Sequence, residues 1–499
     1  MSPSVAALAR AIGRVSVLVV GEAMLDAYLE GATDRLCREA PVPIVSVHRR
    51  VDAPGGAANA AANARGLGAR VTLLSVVGDD AEGAALRGAL EERDVATHHL
   101  LAQPGRRTLA KQRVLAGSQM LVRFDQGSTE RVDAVRERAL VERLERLLPR
   151  HDAVIVSDYG YGIVTPRVIA ALRARQAHDP RVLVVDSKTL LAFRGAGVTA
   201  IKPNYQEALA LLGAGAATTA GRAERLELIQ RHGRRILELT TAQIAAVTLD
   251  TEGALFFEQG RPPYRTYARP VDHSRAAGAG DTFAAALALA LAAGGDLAAA
   301  AELASAAAAV VVGKDGTAAC SAAELVGALT AGEKFAPDVG ALLPHLERHR
   351  RAGRRVVFTN GCFDILHRGH VTYLNGAKAL GDVLVVGLNT DAGVRRLKGP
   401  ARPINPLEDR AQVLAALSCV DHIVAFSEDT PVDLVRAIRP AVYVKGGDYT
   451  TDMLPEARVM GALGGEVRIL PYVDDRSTTG IIERIRAATA EDRALGNIA

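Results

Sequence analysis

GCFDILHRGH, residues 361–370, directly follows the apolar run 356–358 and marks the point where a strand pattern turns into a helix pattern. A helix that begins at such a turn presents unpaired backbone N–H groups and the positive end of its dipole to a ligand. Gly369 leaves room for close approach, and His367 and His370 add donors that can be cationic near neutral pH. The stretch therefore predicts a site that holds nucleotide phosphates while the α-phosphorus is attacked.

Short apolar runs with helical patterns between them surround this stretch and predict a small doubly wound α/β domain. The predicted strands cover residues 356–359, 383–388, 422–426, 442–445 and 467–470. Ligands of such a domain lie at the carboxyl ends of its strands, and GCFDILHRGH follows the first of these strands.

The first part of the chain shows a longer series of the same kind. Residues 42–47 and 109–124 alternate between polar and apolar side chains with no helix between strands, which predicts a small antiparallel flap beside the main sheet. We assign residues 1–332 to a first domain, 333–353 to a linker and connecting helix, and 354–499 to a second domain. Buried strands of the first domain are predicted at residues 15–21, 71–77, 153–157, 182–186 and 244–249.

Composition excludes several classes of protein. The 499 residues carry 60 basic and 56 acidic side chains, a net charge of +4 that favours a mixed solvated surface over a nucleic-acid-binding one. The four cysteines form no CxxC pair, which is typical of a reducing cytoplasm. No uncharged apolar run is long enough to span a membrane, and the N-terminus has no apolar signal-peptide core. We therefore expect a cytoplasmic protein.

A second phosphate-binding turn is predicted at Gly278-Ala279-Gly280-Asp281, which opens the helix pattern of residues 282–291. Two glycines let backbone amides face an anion, and the helix dipole adds to the attraction. An aspartate held there can accept a proton from an attacking hydroxyl while the amides bind the transferred phosphoryl group. Taken alone, the same pattern also fits an ordinary glycine turn in which Asp281 is a helix cap.

Three further motifs extend this pattern: GEAMLD at 21–26, PGGAAN at 54–59 and KPNYQE at 202–207. Together with GAGD, they resemble the ribokinase-type sugar kinases over roughly residues 10–330. The resemblance implies a catalytic base at Asp281, with Gly278, Ala279 and Gly280 on the ATP phosphates. It also implies that Asn204 and Glu207 serve Mg²⁺ and the nucleotide phosphates. The implied sugar contacts are Asp26, Gly55, Gly56 and Asn59.

One segment departs from that family. Arg275, Ala276 and Ala277 stand where the family usually has Asp-x-Thr before GAGD, so a hydroxyl and a carboxylate near the ATP phosphates are missing. An alternative is therefore that the first domain only binds sugar. The retained Asp281 and both glycines of GAGD argue against this alternative.

The flap segments carry three basic residues: Lys111, Arg113 and Arg123. Each could be an edge-strand charge that prevents aggregation, or could line the sugar site. For Arg123 we favour a clamp on a phosphate already carried by the sugar. Ser157, Asp158 and Tyr159 follow a strand and could line the same site. Asp186 and Lys188 could form a local ion pair.

Polar residues also follow the strands of the second domain. Together with the histidine turn of GCFDILHRGH, these polar residues resemble the HxGH nucleotidyltransferases (cytidylyltransferase-like) over about residues 354–490. The resemblance implies that His367 and His370 stabilise the transition state while a phosphate monoester attacks the α-phosphorus. The triphosphate contacts it implies are Ser477, Thr478 and Thr479, with Lys398 and Arg410 as weaker candidates for charge neutralisation. The other implied nucleotide contacts are Phe363, Asp364, Gly369, Asn389, Asp391 and Lys445.

Neither family resemblance alone indicates a substrate, but the fusion of the two domains in this order does. It resembles the bifunctional heptose 7-phosphate kinase/heptose 1-phosphate adenylyltransferases, which implies ATP with Mg²⁺, small sugar phosphates, no tightly bound organic cofactor and the product ADP-heptose. Ribokinase-type domains often dimerise through the flap, so we expect a homodimer or a higher homo-oligomer. Another sugar phosphate, for example with CTP, remains the alternative.

Overall fold

The computed structural model describes residues 5–117, 119–213, 222–268, 276–329, 334–447 and 450–471. The chain divides into two compact units, Met1–Ala328 and Leu329–Ala499. Short parallel strands alternate with helices in both units, as the apolar runs predict. The predicted fold class, a ribokinase-like domain followed by a Rossmann-like domain, is confirmed.

The helices of the first unit, up to its boundary, are α1 (Val5–Ala11), α2 (Ala57–Gly66), α3 (Ala81–Glu91), α4 (Ala134–Leu147), α5 (Pro166–His178), α6 (Tyr205–Leu212), α7 (Arg222–Thr240), α8 (Ala279–Ala292), α9 (Leu297–Val312) and α10 (Ala322–Leu329). The strands are β1 (Ser16–Gly21), β2 (Ala23–Leu36), β3 (Pro43–Gly56), β4 (Arg70–Gly78), β5 (Leu100–Gln103), β6 (Ala110–Ala116), β7 (Gln119–Gln126), β8 (Ala153–Asp158), β9 (Val182–Ser187), β10 (Ala200–Ile201), β11 (Ile244–Thr248), β12 (Ala254–Glu258), β13 (Tyr264–Thr266), β14 (Ala276–Ala277) and β15 (Gly316–Thr317).

The main sheet of the first unit has nine strands within the described residues, in the order β13-β12-β11-β10-β9-β8-β1-β4-β5. The strands from β11 to β5 run parallel, β12 pairs antiparallel with β11, and β13 pairs antiparallel with β12. After β1 the chain adds β4 on one side of β1, and later in the sequence it adds β8 on the other side. The strand order therefore reverses between β1 and β8, and a crevice opens at their carboxyl ends.

The flap differs from the prediction. It is a sheet of four strands in the order β3-β2-β6-β7, and its central pair, β2 and β6, is parallel rather than antiparallel. Strand β2 was missed because its sequence, AMLDAYLEGATDRL, is rich in alanine and leucine, which favour a helix. Pairing with β3 and β6 overrides that local preference.

The described strands of the second unit are β16 (Phe335–Ala336), β17 (Val356–Gly361), β18 (Val383–Asn389), β19 (His422–Phe426), β20 (Val442–Gly446) and β21 (Glu466–Leu470), and its described helices are α11 (Val339–Arg351), α12 (Arg368–Lys378), α13 (Asp391–Lys398), α14 (Leu407–Ala415), α15 (Val432–Ile438) and α16 (Pro455–Ala462). These strands form a parallel sheet in the order β16-β19-β18-β17-β20-β21. The strand order reverses at β17, which lies between β18 and β20.

Part of the predicted linker belongs to this second sheet. Phe335 and Ala336 form β16 and pair with Ile423 and Val424 of β19. A strand of two residues is too short to show the alternation of polar and apolar side chains that marks a strand. The sequence of this segment therefore predicted a linker. Helix α11 packs Leu342 and Leu346 into the core of the second unit and is therefore part of that unit.

Candidate active sites

The crevice of the first unit holds a buried carboxylate, Asp281, in the first turn of α8. Asn59 of α2 donates from Nδ2 to Asp281 Oδ2 at 2.9 Å, and the hydroxyl of Tyr159, just after β8, donates to Asp281 Oδ1 at 2.9 Å. Each carboxylate oxygen thus accepts one hydrogen bond from a different element. Asn59, predicted as a sugar contact, lies directly on the predicted base.

Alanine explains how two of these elements come so close. Residues Ala57 to Ala64 of α2 are all buried, and residues Asp281 to Ala290 of α8 are buried as well. Small side chains let helix backbones approach one another. Asn63 of α2 then accepts a hydrogen bond from the Thr282 hydroxyl of α8 at 2.8 Å, which fixes the helices in register.

Burial raises the pKa of Asp281 to about 6. Desolvation is the main cause and the nearby carboxylate of Asp186 adds to it, whereas the hydrogen bond from Asn59, the hydrogen bond from Tyr159 and the charge of Lys202 lower the pKa. A carboxylate with this pKa is ionised at neutral pH yet basic enough to accept a proton in a transition state.

The GAGD turn fits an anion. Gly278 has φ +83°, a conformation that favours glycine, and a Cβ there would lie 2.1 Å from Asn59 Nδ2. Lys202 lies beside the turn, since a Cβ on Gly280 would be 3.4 Å from its Nζ. Amides at the start of α8 and this ammonium group can together hold a phosphoryl group.

Lys202 is a site residue that the sequence pattern did not predict, and the predicted ion pair of Asp186 with Lys188 is wrong. Asp186 bonds Lys202 at 3.1 Å, and Lys188 instead lies 5.9 Å from the Tyr161 ring centre. Lys202 directly precedes Pro203 and Asn204, so its position in the KPN motif was the sequence feature that could have indicated a role in the site. Asp186 lies near the end of β9, and Lys202 directly follows the neighbouring parallel strand β10, which brings the two side chains together at the carboxyl edge of the sheet.

Asn204 and Glu207 make a capping box at the start of α6. The Asn204 side chain accepts from the Glu207 N–H at 2.9 Å, and Glu207 Oε2 accepts from the Asn204 N–H at 2.9 Å. This local role accounts for the Asn-x-x-Glu spacing without a ligand. Magnesium usually takes only one or two protein carboxylates and completes its shell with phosphates and water. Glu207 therefore still fits a metal that is held mainly by ATP.

The flap contributes a second charged group. Arg113 Nη1 lies 2.7 Å from Asp26 Oδ1, and both side chains are nearly buried. Asp26 Oδ2 also accepts from the Thr317 hydroxyl at 2.9 Å. A Cβ on Gly55 would lie 2.7 Å from Asp26 Oδ2, so glycine is required beside this carboxylate. Gly56 completes the same strand, β3, opposite Ala23.

Two arginines face each other across the flap. Arg113 and Arg123 are directly paired between β6 and β7, where like charges are destabilising. Each arginine has its own carboxylate: Arg113 bonds Asp26, and Arg123 makes two bonds to Asp125 at 2.8 and 2.6 Å. Lys111, opposite Asp125, adds a third cation to this patch. Arg123 is almost half exposed, so its guanidinium is accessible to a ligand.

In the second unit the histidine pair lies where β17 turns into α12. His367 is the N-cap residue of α12, and its ring centre lies 3.9 Å from that of His370 in a stacked arrangement. Phe363, at φ +44°, packs edge-on against His370 at 5.3 Å. The strained backbone at Phe363 is typical of a functional turn. Gly369 lies in the first turn of the same helix.

Desolvation, followed by the charge of His367, lowers the pKa of His370 to about 3, so the ligand-free site favours the neutral ring at this position. A neutral imidazole still donates one hydrogen bond. A bound triphosphate would raise this pKa, because a nearby anion favours the protonated ring.

Two of the predicted nucleotide-binding side chains, Asp364 and Arg410, form hydrogen bonds with other residues of the chain. Asp364 accepts the N–H groups of Ile404 and Asn405 and bonds Arg402, so it anchors the basic loop. Arg410 is only 1% exposed. Its guanidinium donates to the carbonyls of Cys362 and Asn405 and to Asp391 Oδ1. Asp364 and Arg410 therefore position the turn and the loop.

The remaining predicted residues gather at the carboxyl edge of the same sheet. Asn389 ends β18, and its Oδ1 lies 3.8 Å from the Cys362 thiol. Lys445, near the end of β20, donates to Asn360 Oδ1 at 3.2 Å, and the charge of Lys398 helps to lower its pKa, behind desolvation as the main cause. Ser477, Thr478 and Thr479, and Arg275 in the first unit, lie outside the described residues.

Comparisons with known proteins match the two units to two different families. Residues 15–324 match the pfkB family of carbohydrate kinases, and residues 358–484 match the cytidylyltransferase-like family. The chain is 41% identical to the bifunctional protein HldE of Geobacter sulfurreducens over 96% of this chain and 97% of that protein. It is 42% identical to HldE of Pseudomonas aeruginosa over 94% of this chain and 97% of that protein.

A solved structure shows the same fold in the first unit. Phosphofructokinase-2 from Escherichia coli, in complex with potassium, aligns with a TM-score of 0.51 and 20% identity, covering 62% of this chain and 96% of that one. At this identity the likeness concerns the fold alone.

Replacing Arg410 by methionine is expected to destabilise the second unit by about 2–3 kcal/mol, because the carbonyls of Cys362 and Asn405 and the Asp391 carboxylate would lose their hydrogen-bond donor. Thermal unfolding of the full chain should show the loss. The matched control, Arg436→Met, removes an exposed ion pair with Asp433 and should change stability by less than about 1 kcal/mol. Equal effects of the two substitutions would contradict the anchoring role of Arg410.

Proposed function

Because the chain belongs to the family of bifunctional HldE proteins, in which a carbohydrate kinase is fused to a nucleotidyltransferase, we propose that it catalyses two separate steps of ADP-heptose synthesis. The first unit phosphorylates the anomeric hydroxyl of D-glycero-D-manno-heptose 7-phosphate. The second unit transfers an adenylyl group from ATP to heptose 1-phosphate. A phosphatase must remove the 7-phosphate between the two steps, so the product of one site is not directly the substrate of the other.

The observation that carries the kinase step is the buried carboxylate of Asp281 beside the GAGD turn. In the proposed reaction Asp281 accepts the proton of the anomeric hydroxyl while that oxygen bonds to the γ-phosphorus. The bond from the γ-phosphorus to the bridging oxygen breaks, and ADP leaves. Amides of the GAGD turn and Lys202 neutralise charge on the transferred group. ATP brings Mg²⁺ as its metal, with Glu207 as the candidate protein ligand.

The histidine pair at the end of β17 supports the second step. An oxygen of the heptose 1-phosphate attacks the α-phosphorus of ATP, and pyrophosphate leaves, so no protein nucleophile is needed. His367 and His370 donate hydrogen bonds to the phosphate oxygens as negative charge builds up. Asn389, Asp391, Lys398 and Lys445 are proposed to line the nucleotide. Consumption of ATP in both steps supports a cytoplasmic location.

A panel of sugar phosphates incubated with ATP or CTP tests the proposal. We expect ADP from heptose 7-phosphate and pyrophosphate from heptose 1-phosphate, with ADP-heptose detected by mass spectrometry. Asp281→Asn should abolish ADP formation, because an amide cannot accept the proton, and should leave pyrophosphate release unchanged. Pyrophosphate release without any ADP formation by the wild type would instead support a sugar-binding first unit, and preference for another sugar or for CTP would refute the assigned substrates.

The paired arginines of the flap are proposed to recognise the 7-phosphate. A guanidinium bonds a phosphate with two parallel hydrogen bonds, each stronger than a neutral one. Arg123→Ala should therefore raise the KM for heptose 7-phosphate by about 10- to 100-fold, with little change in the KM for ATP. Arg49→Ala, which removes an exposed pair with Glu30 on the same sheet, is the control. Equal increases in both KM values for Arg123→Ala would contradict a phosphate clamp.

We also propose that the flap joins two copies of the chain. The exposed apolar side chains of the flap include Leu36, Val47, Met120, Val122 and Phe124, at 64%, 49%, 55%, 51% and 42% exposure. An apolar face of this kind marks an interface more often than free surface. Lys111 and Arg113 lie on the opposite face of this sheet from Val122 and Phe124, so such a contact would cover the back of the sheet that carries the sugar site.

Sedimentation of the full chain tests this interface. The wild type should sediment as a dimer or a larger oligomer, and Met120→Asp with Val122→Asp should shift it toward the monomer, because burying two carboxylates in an apolar interface is costly. Leu191→Asp introduces a charge at a half-exposed leucine outside the flap and should not change the oligomeric state. A monomeric wild type would refute the proposal.

A further inference from the structure

Tyr159 lies at the meeting point of three parts of the kinase site. It is the first residue after β8, where the strand order of the sheet reverses. Its hydroxyl lies 2.9 Å from Asp281 Oδ1. The ammonium group of Lys111, on flap strand β6, lies 5.0 Å from the centre of its ring. One side chain therefore contacts both the catalytic carboxylate and a cation of the sugar-binding flap.

We propose that Tyr159 is a positioning residue of the kinase step, which orients the Asp281 carboxylate and keeps it ionised for proton transfer. The inference rests on the proposed function of the first unit. It assigns to Tyr159 no contact with the reacting atoms; the tyrosine acts through Asp281.

The direction of the hydrogen bond follows from the charges around the phenol. Desolvation and the neighbouring carboxylates, above all Asp281, raise the pKa of Tyr159 well above its usual value. The hydroxyl therefore stays protonated across the working pH range and donates a hydrogen bond to the Asp281 carboxylate. A donor of this kind favours the ionised form of the acid.

Two donors restrict the carboxylate more than one would. Asn59 bonds Oδ2 and Tyr159 bonds Oδ1, so rotation of the Asp281 side chain would break one of the two bonds. Each oxygen keeps a second lone pair for a substrate hydroxyl. The pair of donors thus limits the directions from which a hydroxyl can approach, which is how a fixed base gains its advantage.

Tyr159 is itself firmly held. Its backbone N–H donates to Glu22 Oε2 at 2.7 Å, and the N–H of Ile163 donates to Glu22 Oε1 at 3.0 Å. Glu22 is completely buried, and Arg106 bonds the carbonyl of Tyr161 from the other side of the turn. A side chain can orient a catalytic group only if its own backbone is fixed, and this turn meets that requirement.

Other charges also act on Asp281. Asp186, near the end of β9, raises the pKa of Asp281, while Lys202, after β10, lowers it. Lys111 faces the same carboxylate from the flap. Removing the Tyr159 hydroxyl leaves all three charges in place and removes one bond that stabilises the ionised acid. The pKa of Asp281 should then rise, and activity should be lost at higher pH than in the wild type.

Tyr159→Phe in the full chain tests the inference, since it removes one oxygen atom and keeps the ring under Lys111. We expect kcat for ADP formation from heptose 7-phosphate to fall by about 10- to 100-fold, with the KM for ATP nearly unchanged. The acid limb of the pH profile should move to higher pH. Tyr161→Phe, in the same turn, is the matched control and should behave like the wild type.

Adenylyl transfer by the second unit is the internal reference and should be identical in both variants. A wild-type kcat and an unmoved acid limb in Tyr159→Phe would overturn the inference, and a fall in kcat with an unmoved limb would reduce the tyrosine to a packing role. If the substitution unfolds the first unit, Tyr159→Trp, which retains an aromatic donor, should restore part of the activity; failure to do so in a folded variant also counts against the proposal. A wild type without kinase activity would refute the proposed function instead.

Discussion

Both sites depend on one constraint of parallel sheets: the strand order must reverse somewhere, and the carboxyl ends diverge at that point. In the first unit the reversal lies between β1 and β8, and Glu22 and Tyr159 follow these two strands directly. In the second unit it lies at β17, whose last residue leads into the histidine turn. The residues with reactive side chains come from distant parts of the sequence because the crevice collects strand ends.

Packing of small side chains then determines which residues meet in the first crevice. Helix α8 could not bring Asp281 next to Asn59 if α2 carried large side chains on its inner faces. The buried alanines of these two helices therefore have a structural consequence. Close packing of the two helices removes water from Asp281, and this desolvation is the main reason its pKa rises to about 6.

The sequence predicts the strands that lie in the sheet centres and the two phosphate-binding turns, because apolar runs and glycine turns are local patterns. It does not predict β2, β10 or β16, whose strand character depends on pairing partners rather than on their own residues. The bond from Tyr159 to Asp281 and the charge of Lys202 near it were not predicted for the same reason. Their place beside α8 follows from the order of the strands, which a spacing along the chain does not encode.

Charge type cannot distinguish a residue that binds a ligand from one that holds a loop. Asp364 lies inside the most specific motif of the chain, yet both its oxygens accept bonds from residues 402–405. Glu22 does the equivalent for the turn that carries Tyr159. A flexible turn could not hold a phosphate or a base in place, so a buried carboxylate that binds backbone amides is as necessary to each site as the groups that face the substrate. The charged residues of such motifs therefore divide into those that meet the ligand and those that fix the backbone around it, and only the three-dimensional contacts separate the two.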